Sequence, residues 1–128
     1  MDNRKYWVEI AEYDLGTAKA MLDSGRYLYV GFMCHQSIEK ILKAIYVVRV
    51  KEMPPRIHNL ARLVKLTELQ KEISSEYLEL IQELNPLNIA SRYPDQELEI
   101  LGDLDFDYSK KLLERTGRLF KWLKIRTL

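Results

Sequence analysis

Apolar side chains recur at intervals of three and four residues along most of the chain, and no stretch sustains the alternate-residue pattern of a strand. Trp7, Ile10, Ala11, Ala18, Met21 and Leu22 share one face of a helix predicted over about residues 3–23. Ser24-Gly25 ends it, because glycine readily takes the left-handed conformation that closes a helix. A second helix, about 27–50, is the most apolar in the chain. Val30, Cys34, Ile38, Ile41, Leu42, Ile45 and Val48 cover a broad front, which predicts a central position in the domain. Pro54-Pro55 cannot continue it. Asn59 is a predicted N-cap for a short third helix carrying Leu60, Leu63 and Val64. A fourth helix from about residue 68 packs Ile73, Tyr77, Leu80, Ile81 and Leu84 before bending at Pro86. After Pro94 an acidic linker leads to a last helix, about 105–125, with Phe106, Leu112, Leu113, Leu119, Phe120 and Leu123 on its inner side. Short connections make successive helices antiparallel neighbours, so the expected fold is all-α, an up-and-down bundle of four to five helices.

A length of 128 residues suits one domain with a single core, spanning residues 1–128. Apolar residues make up 47% and charged residues 30%, the balance of a soluble globular protein. A net charge of +1 argues against a generic nucleic-acid coat or a polybasic membrane anchor. Cys34 is the lone cysteine, so no intrachain disulfide and no cysteine-based zinc site can form, which fits a reducing compartment. The first residues are charged and amphipathic, unlike a signal peptide, and no run reaches the ~20 apolar residues that span a bilayer. The expected location is cytoplasmic, with no membrane partner.

One arc of the apolar second helix is polar. Gln36, Glu39, Lys40 and Lys43, offset by three, four and seven residues, stack along it. Such groups face solvent, pair with one another or line a cleft. Spacing alone favours a solvated face with a Glu39–Lys43 pair worth about 0.3 kcal/mol, while lysines beside a groove also suit phosphate. Asp14 interrupts the apolar stripe of the first helix, where an ionised carboxylate needs a partner such as Lys40 or Lys43. A contact that sets helix register is the simpler account, and a ligand contact is the other. His35 and His58 have no His-x-x-x-His or Glu-x-x-His companion, so no metal site and no cofactor is expected. His58, in the loop after Pro54-Pro55, can act as an acid or base, or more simply cap the third helix. Acids from Asp95 to Asp107 precede bases from Lys110 to Arg126. That order complements a helix dipole, and the basic stretch is also a candidate contact for RNA or an acidic partner.

Several pieces together resemble the HEPN domain family (higher eukaryotes and prokaryotes nucleotide-binding domain). They are Trp7, Ala11, Asp14-Leu15 and Ala18, then Phe32-x-x-His35-Gln36-x-x-Glu39-Lys40-x-x-Lys43-Ala44. His58-x-Leu60-x-x-Leu63 and Ala90-x-Arg92-Tyr93-Pro94 follow in the same order. The resemblance implies a helical bundle that often forms homodimers, frequently paired with a minimal nucleotidyltransferase in a toxin–antitoxin-like or stress-response module. It also implies nucleotide binding, and in one branch metal-independent cleavage of RNA. That branch uses an arginine followed four to six residues later by histidine. Arg92 matches the arginine, but Glu97, Leu98 and Glu99 stand where the histidine belongs.

The reading therefore leans away from an enzyme. It is a HEPN-like module, non-catalytic or weakly catalytic, that binds a nucleotide or a nucleotidyltransferase through Asp14, Gln36, Glu39, Lys40, Lys43 and Arg92. The alternatives are a ribonuclease toxin using Arg92 and His58, and a purely structural dimerisation module in which the polar arc sets register.

Overall fold

The computed structural model describes residues 3–89 and 93–128, and among them every regular element is helical. The helices are α1 (Asn3–Asp23), α2 (Tyr27–Val50), α3 (Leu60–Leu66), α4 (Ser75–Leu84), α5 (Pro94–Gly102) and α6 (Phe106–Ile125). Single 3-10 turns occupy Leu69–Lys71 and Asn85–Leu87. Six helices thus replace the expected four to five.

The additional helix is α5, which lies where the sequence suggested an acidic linker. Its signals are those of a helix start and not of a buried face. Pro94 sits in the first turn, where its fixed φ is favourable, and the Gln96 side chain accepts the Tyr93 N–H at 3.2 Å. Asp95 and Glu97 complement the positive end of the helix dipole. No residue of α5 is fully buried, so no buried apolar stripe reveals it. The fourth helix also starts later than expected. Ser74 accepts the Tyr77 N–H and caps α4, while Glu68 takes a left-handed conformation at φ 59° ahead of the first 3-10 turn.

Side-chain pairs fix the directions of the long helices. Lys40 meets Asp14 and Lys43 faces Trp7, so α2 runs antiparallel to α1. Tyr77 meets Trp122 while Glu83 meets Tyr108, so α4 runs antiparallel to α6. Tyr27 lies against Phe106 at the start of α2 and α6, and Glu72 joins Arg49 and Arg126 at their ends, so those two are parallel. Gly25, at φ 76°, makes the turn from α1 into α2, with the Arg26 N–H bonded to the Met21 carbonyl at 2.8 Å.

As the pattern predicted, α2 is the central helix. Ile38, Ile41, Leu42 and Ile45 are wholly buried, each stabilising the fold by roughly 1.5–3 kcal/mol in transfer terms. Among the described residues no helix is long and apolar enough to cross a membrane.

The loop between α2 and α3 is pinned at its far end by two asparagines. Asn59 caps α3 by accepting the Arg62 N–H, and Asn85 donates to Asn59 Oδ1 at 3.0 Å. Asn85 Oδ1 accepts the N–H of the fully buried Leu60 at 2.9 Å. The residue before Asn59 is His58, whose position therefore depends on α4 as well as on its own loop. Asn85→Ala strands a buried donor and should destabilise the protein by about 1–3 kcal/mol, read by urea denaturation.

Candidate functional site

The polar arc of α2 is not a solvated face. Glu39 is 2% exposed and Lys43 5%, because Trp7 and Asp14 of α1 cover one flank and the His58 loop covers the other. Sequence spacing showed which side chains are neighbours on the helix but not what packs over them. Both oxygens of Glu39 are engaged. Oε2 accepts from Lys43 Nζ at 3.0 Å, and Oε1 accepts from His58 Nδ1 at 3.0 Å. Lys43 Nζ also lies 5.6 Å from the centre of the Trp7 ring, a cation–π contact that shields the ammonium.

His35 completes the arrangement from within the core. Its Nε2 lies 3.1 Å from the His58 carbonyl, which can only accept, so Nε2 carries the proton. Nδ1 is then free to accept from the Gln36 amide at 3.3 Å. Gln36 Oε1 in turn accepts from Lys40 Nζ at 3.0 Å, and Lys40 reaches Asp14 at 3.4 Å. A continuous polar path runs from Asp14 through Lys40, Gln36 and His35 to the His58 backbone. It returns through the His58 ring to Glu39, Lys43 and Trp7.

Burial drives the His35 pKa down to about 4, against opposing pulls from Glu39 and from its bond to the His58 carbonyl. Burial also raises the Asp14 carboxyl, partly offset by Lys40. Cys34, on the apolar front, is buried and its thiol is pushed up to about 12, which makes it unreactive at neutral pH.

Of the residues singled out in the sequence, Asp14, Gln36, Glu39, Lys40, Lys43 and His58 all meet in this network. Arg92 lies outside the described residues. His58 does not cap α3, because Asn59 does so, and its ring turns back to Glu39. His35 was overlooked as a member. Its i, i+4 spacing to Glu39, inside an otherwise apolar front, was the available signal. Among the described residues no group of three or more His, Cys, Asp or Glu side chains is placed to hold a metal ion.

The chemical product of the network is one presented group. The other seam side chains are buried or half-buried, while the His58 side chain is 61% exposed. With Nδ1–H donating to a carboxylate, the neutral form of that exposed ring presents Nε2 as an acceptor.

The HEPN domain model matches residues 4–126, essentially the whole helical bundle just described. The chain belongs to the HEPN domain family. No curated protein is significantly similar to it in sequence. Among solved structures, the HEPN chain is similar to the crystal structure of TT1696 from Thermus thermophilus. The TM-score is 0.81 at 18% identity, over 98% of this chain and 99% of the other, a likeness of fold alone.

Burial of the seam makes its charges measurable through stability. Glu39→Gln leaves the Lys43 charge buried without its counter-ion, which should cost about 3–5 kcal/mol in chemical denaturation. Adding Lys43→Met should recover most of that loss. For His35 the folded pKa of about 4 lies below the ordinary 6.5, so the unfolded chain binds the proton first as pH falls. Stability should therefore rise between pH 4 and 6.5, by about 3 kcal/mol in all, and that slope should vanish in His35→Gln.

Proposed function

We propose that this chain is a binding module with little or no catalysis of its own, which engages a nucleotide or a minimal nucleotidyltransferase at the surface where His58 emerges. In this reading it is the helical half of a toxin–antitoxin-like or stress-response pair. One observation carries it: the seam holds a single exposed imidazole in a fixed orientation while neutralising its own lysines. Lys43 is bound to Glu39 and covered by Trp7, so a phosphate approaching it would have to strip it from a buried partner. Lys40 is half-buried and shared between Asp14 and Gln36. Both lysines thus position the site, and recognition falls to His58, with Arg92 as the candidate for phosphate charge.

Calorimetry with a nucleotide panel, and co-purification with a minimal nucleotidyltransferase, test this directly. His58→Ala should weaken binding by about tenfold, as loss of one hydrogen bond to a charged group does, and should also lower stability by about 1–3 kcal/mol because Glu39 Oε1 loses its donor. Absence of binding at millimolar nucleotide together with absence of a complex overturns the reading.

A second reading, a metal-independent ribonuclease, draws on the His58–Glu39 pair. An imidazole whose tautomer is fixed by a carboxylate has the geometry of a general acid or base. Expression in a bacterial host should then arrest growth, and both Arg92→Ala and His58→Ala should relieve the arrest. Harmless wild-type expression rules that reading out.

A further inference from the structure

A cavity of about 320 Å3 lies between α4, α5 and α6. Pro86, Leu87, Ile100 and Leu104 form its walls, and Glu83, Asp103 and Tyr108 are its polar groups. Gly31 of α2 helps to shape it. A Cβ there would lie 3.1 Å from Leu87 Cδ1, so the missing side chain lets Leu87 settle close against α2. Small-molecule sites are typically apolar clefts of about 300–1,000 Å3 with a few convergent polar groups. This cavity has that form, at the small end of the range.

Its electrostatics favour a cation. Glu83 stands in the last turn of α4 and Asp103 caps the end of α5, and neither last turn carries a base. Both acids therefore sit at the negative end of a helix dipole, where a carboxylate is unfavourable and a bound cation is stabilised. The positive end of α6 is met by its own cap, Asp105, which accepts the Tyr108 N–H at 2.8 Å. Arg115 is the opposing base. It donates to Glu83 Oε2 at 2.8 Å, and Glu83 Oε1 has no partner among the described residues. Asp103 makes no ion pair and no side-chain hydrogen bond among them.

The Tyr108 hydroxyl also donates to Glu83 Oε2, at 3.0 Å. Burial, and then that bond, push the phenol up to about 12, so it stays protonated at neutral pH and its oxygen can still accept. Glu83 Oε1, the Asp103 carboxylate and the Tyr108 oxygen are acceptors on three separate side chains. A primary ammonium carries a matching set of three N–H donors. A guanidinium suits Glu83 less well, because it prefers both oxygens of one carboxylate and Oε2 is already taken. The apolar walls suit an alkyl body and not the water shell of a hard metal ion.

We propose that this cavity binds a small aliphatic primary amine. The ammonium is held by Glu83, Asp103 and Tyr108, and the alkyl chain lies against Leu87, Ile100 and Leu104. No side chain is shared with the His58 network, so the site stands or falls separately from the binding function proposed above.

Calorimetry and amide-shift mapping on the full chain with n-butylammonium chloride test it. Saturable binding in the millimolar range or tighter should appear, with shifts centred on residues 83–87 and 100–108. n-Butanol, which has the same body and no charge, should bind at least about tenfold more weakly, as loss of charged hydrogen bonds implies. Asp103→Asn removes a carboxylate that has no partner among the described residues. It should keep helix content and melting temperature, and should weaken amine binding at least about tenfold. Absence of saturable binding overturns the proposal, as do shifts centred elsewhere. So does n-butanol binding as tightly as the amine, or an Asp103→Asn variant that binds like the wild type.

Discussion

A buried carboxylate that must be satisfied from two sides organises this protein. Glu39 sits on the central helix, almost without contact with water, and an unpaired charge there would be intolerable. Lys43 supplies the counter-charge from one turn further along α2, and His58 supplies the second donor from a separate loop. The first contact is local, and any helix with that spacing can make it. The second is not. It requires the proline-containing loop to fold back over α2, and it requires Asn59 and Asn85 to hold that loop against the end of α4. A demand made in the core is thereby transmitted to the place of one exposed imidazole.

His35 reinforces the same geometry by a different route. It grips the backbone of His58 while Glu39 grips the side chain, so main chain and ring are fixed independently. Its own proton is located by neighbours, since a carbonyl accepts on one side and an amide donates on the other. Burial keeps the ring neutral through the physiological range, and a neutral ring is what this pattern requires. The network thus avoids bringing a third cation close to Lys40 and Lys43.

Much of this fold was legible in the sequence because it rests on periodicity and local stops. The limits of α1 and α2 followed from the apolar stripe, from Gly25 and from the proline pair. The cap at Asn59 followed from its place before Leu60. What escaped was of two kinds. α5 announces itself through Pro94 and Gln96 and not through a buried stripe, so a search for core-facing residues read it as linker. The state of the polar arc escaped for a longer-range reason. Whether Glu39 and Lys43 meet water depends on Trp7, Asp14 and His58, which lie between 15 and 36 residues away along the chain. Spacing within one helix carries no information about that cover. The family resemblance did group these residues, although it did not say that the lysines are internal partners and that His58 is the group presented.

Glu39 fixes the orientation of the His58 ring. A long-range proton–nitrogen correlation spectrum of the imidazoles reads this directly, because it distinguishes the two neutral tautomers. The structure predicts His58 with its proton on Nδ1, and His35 with its proton on Nε2. A His58 ring with its proton on Nε2, the form an unconstrained imidazole prefers, would contradict the account.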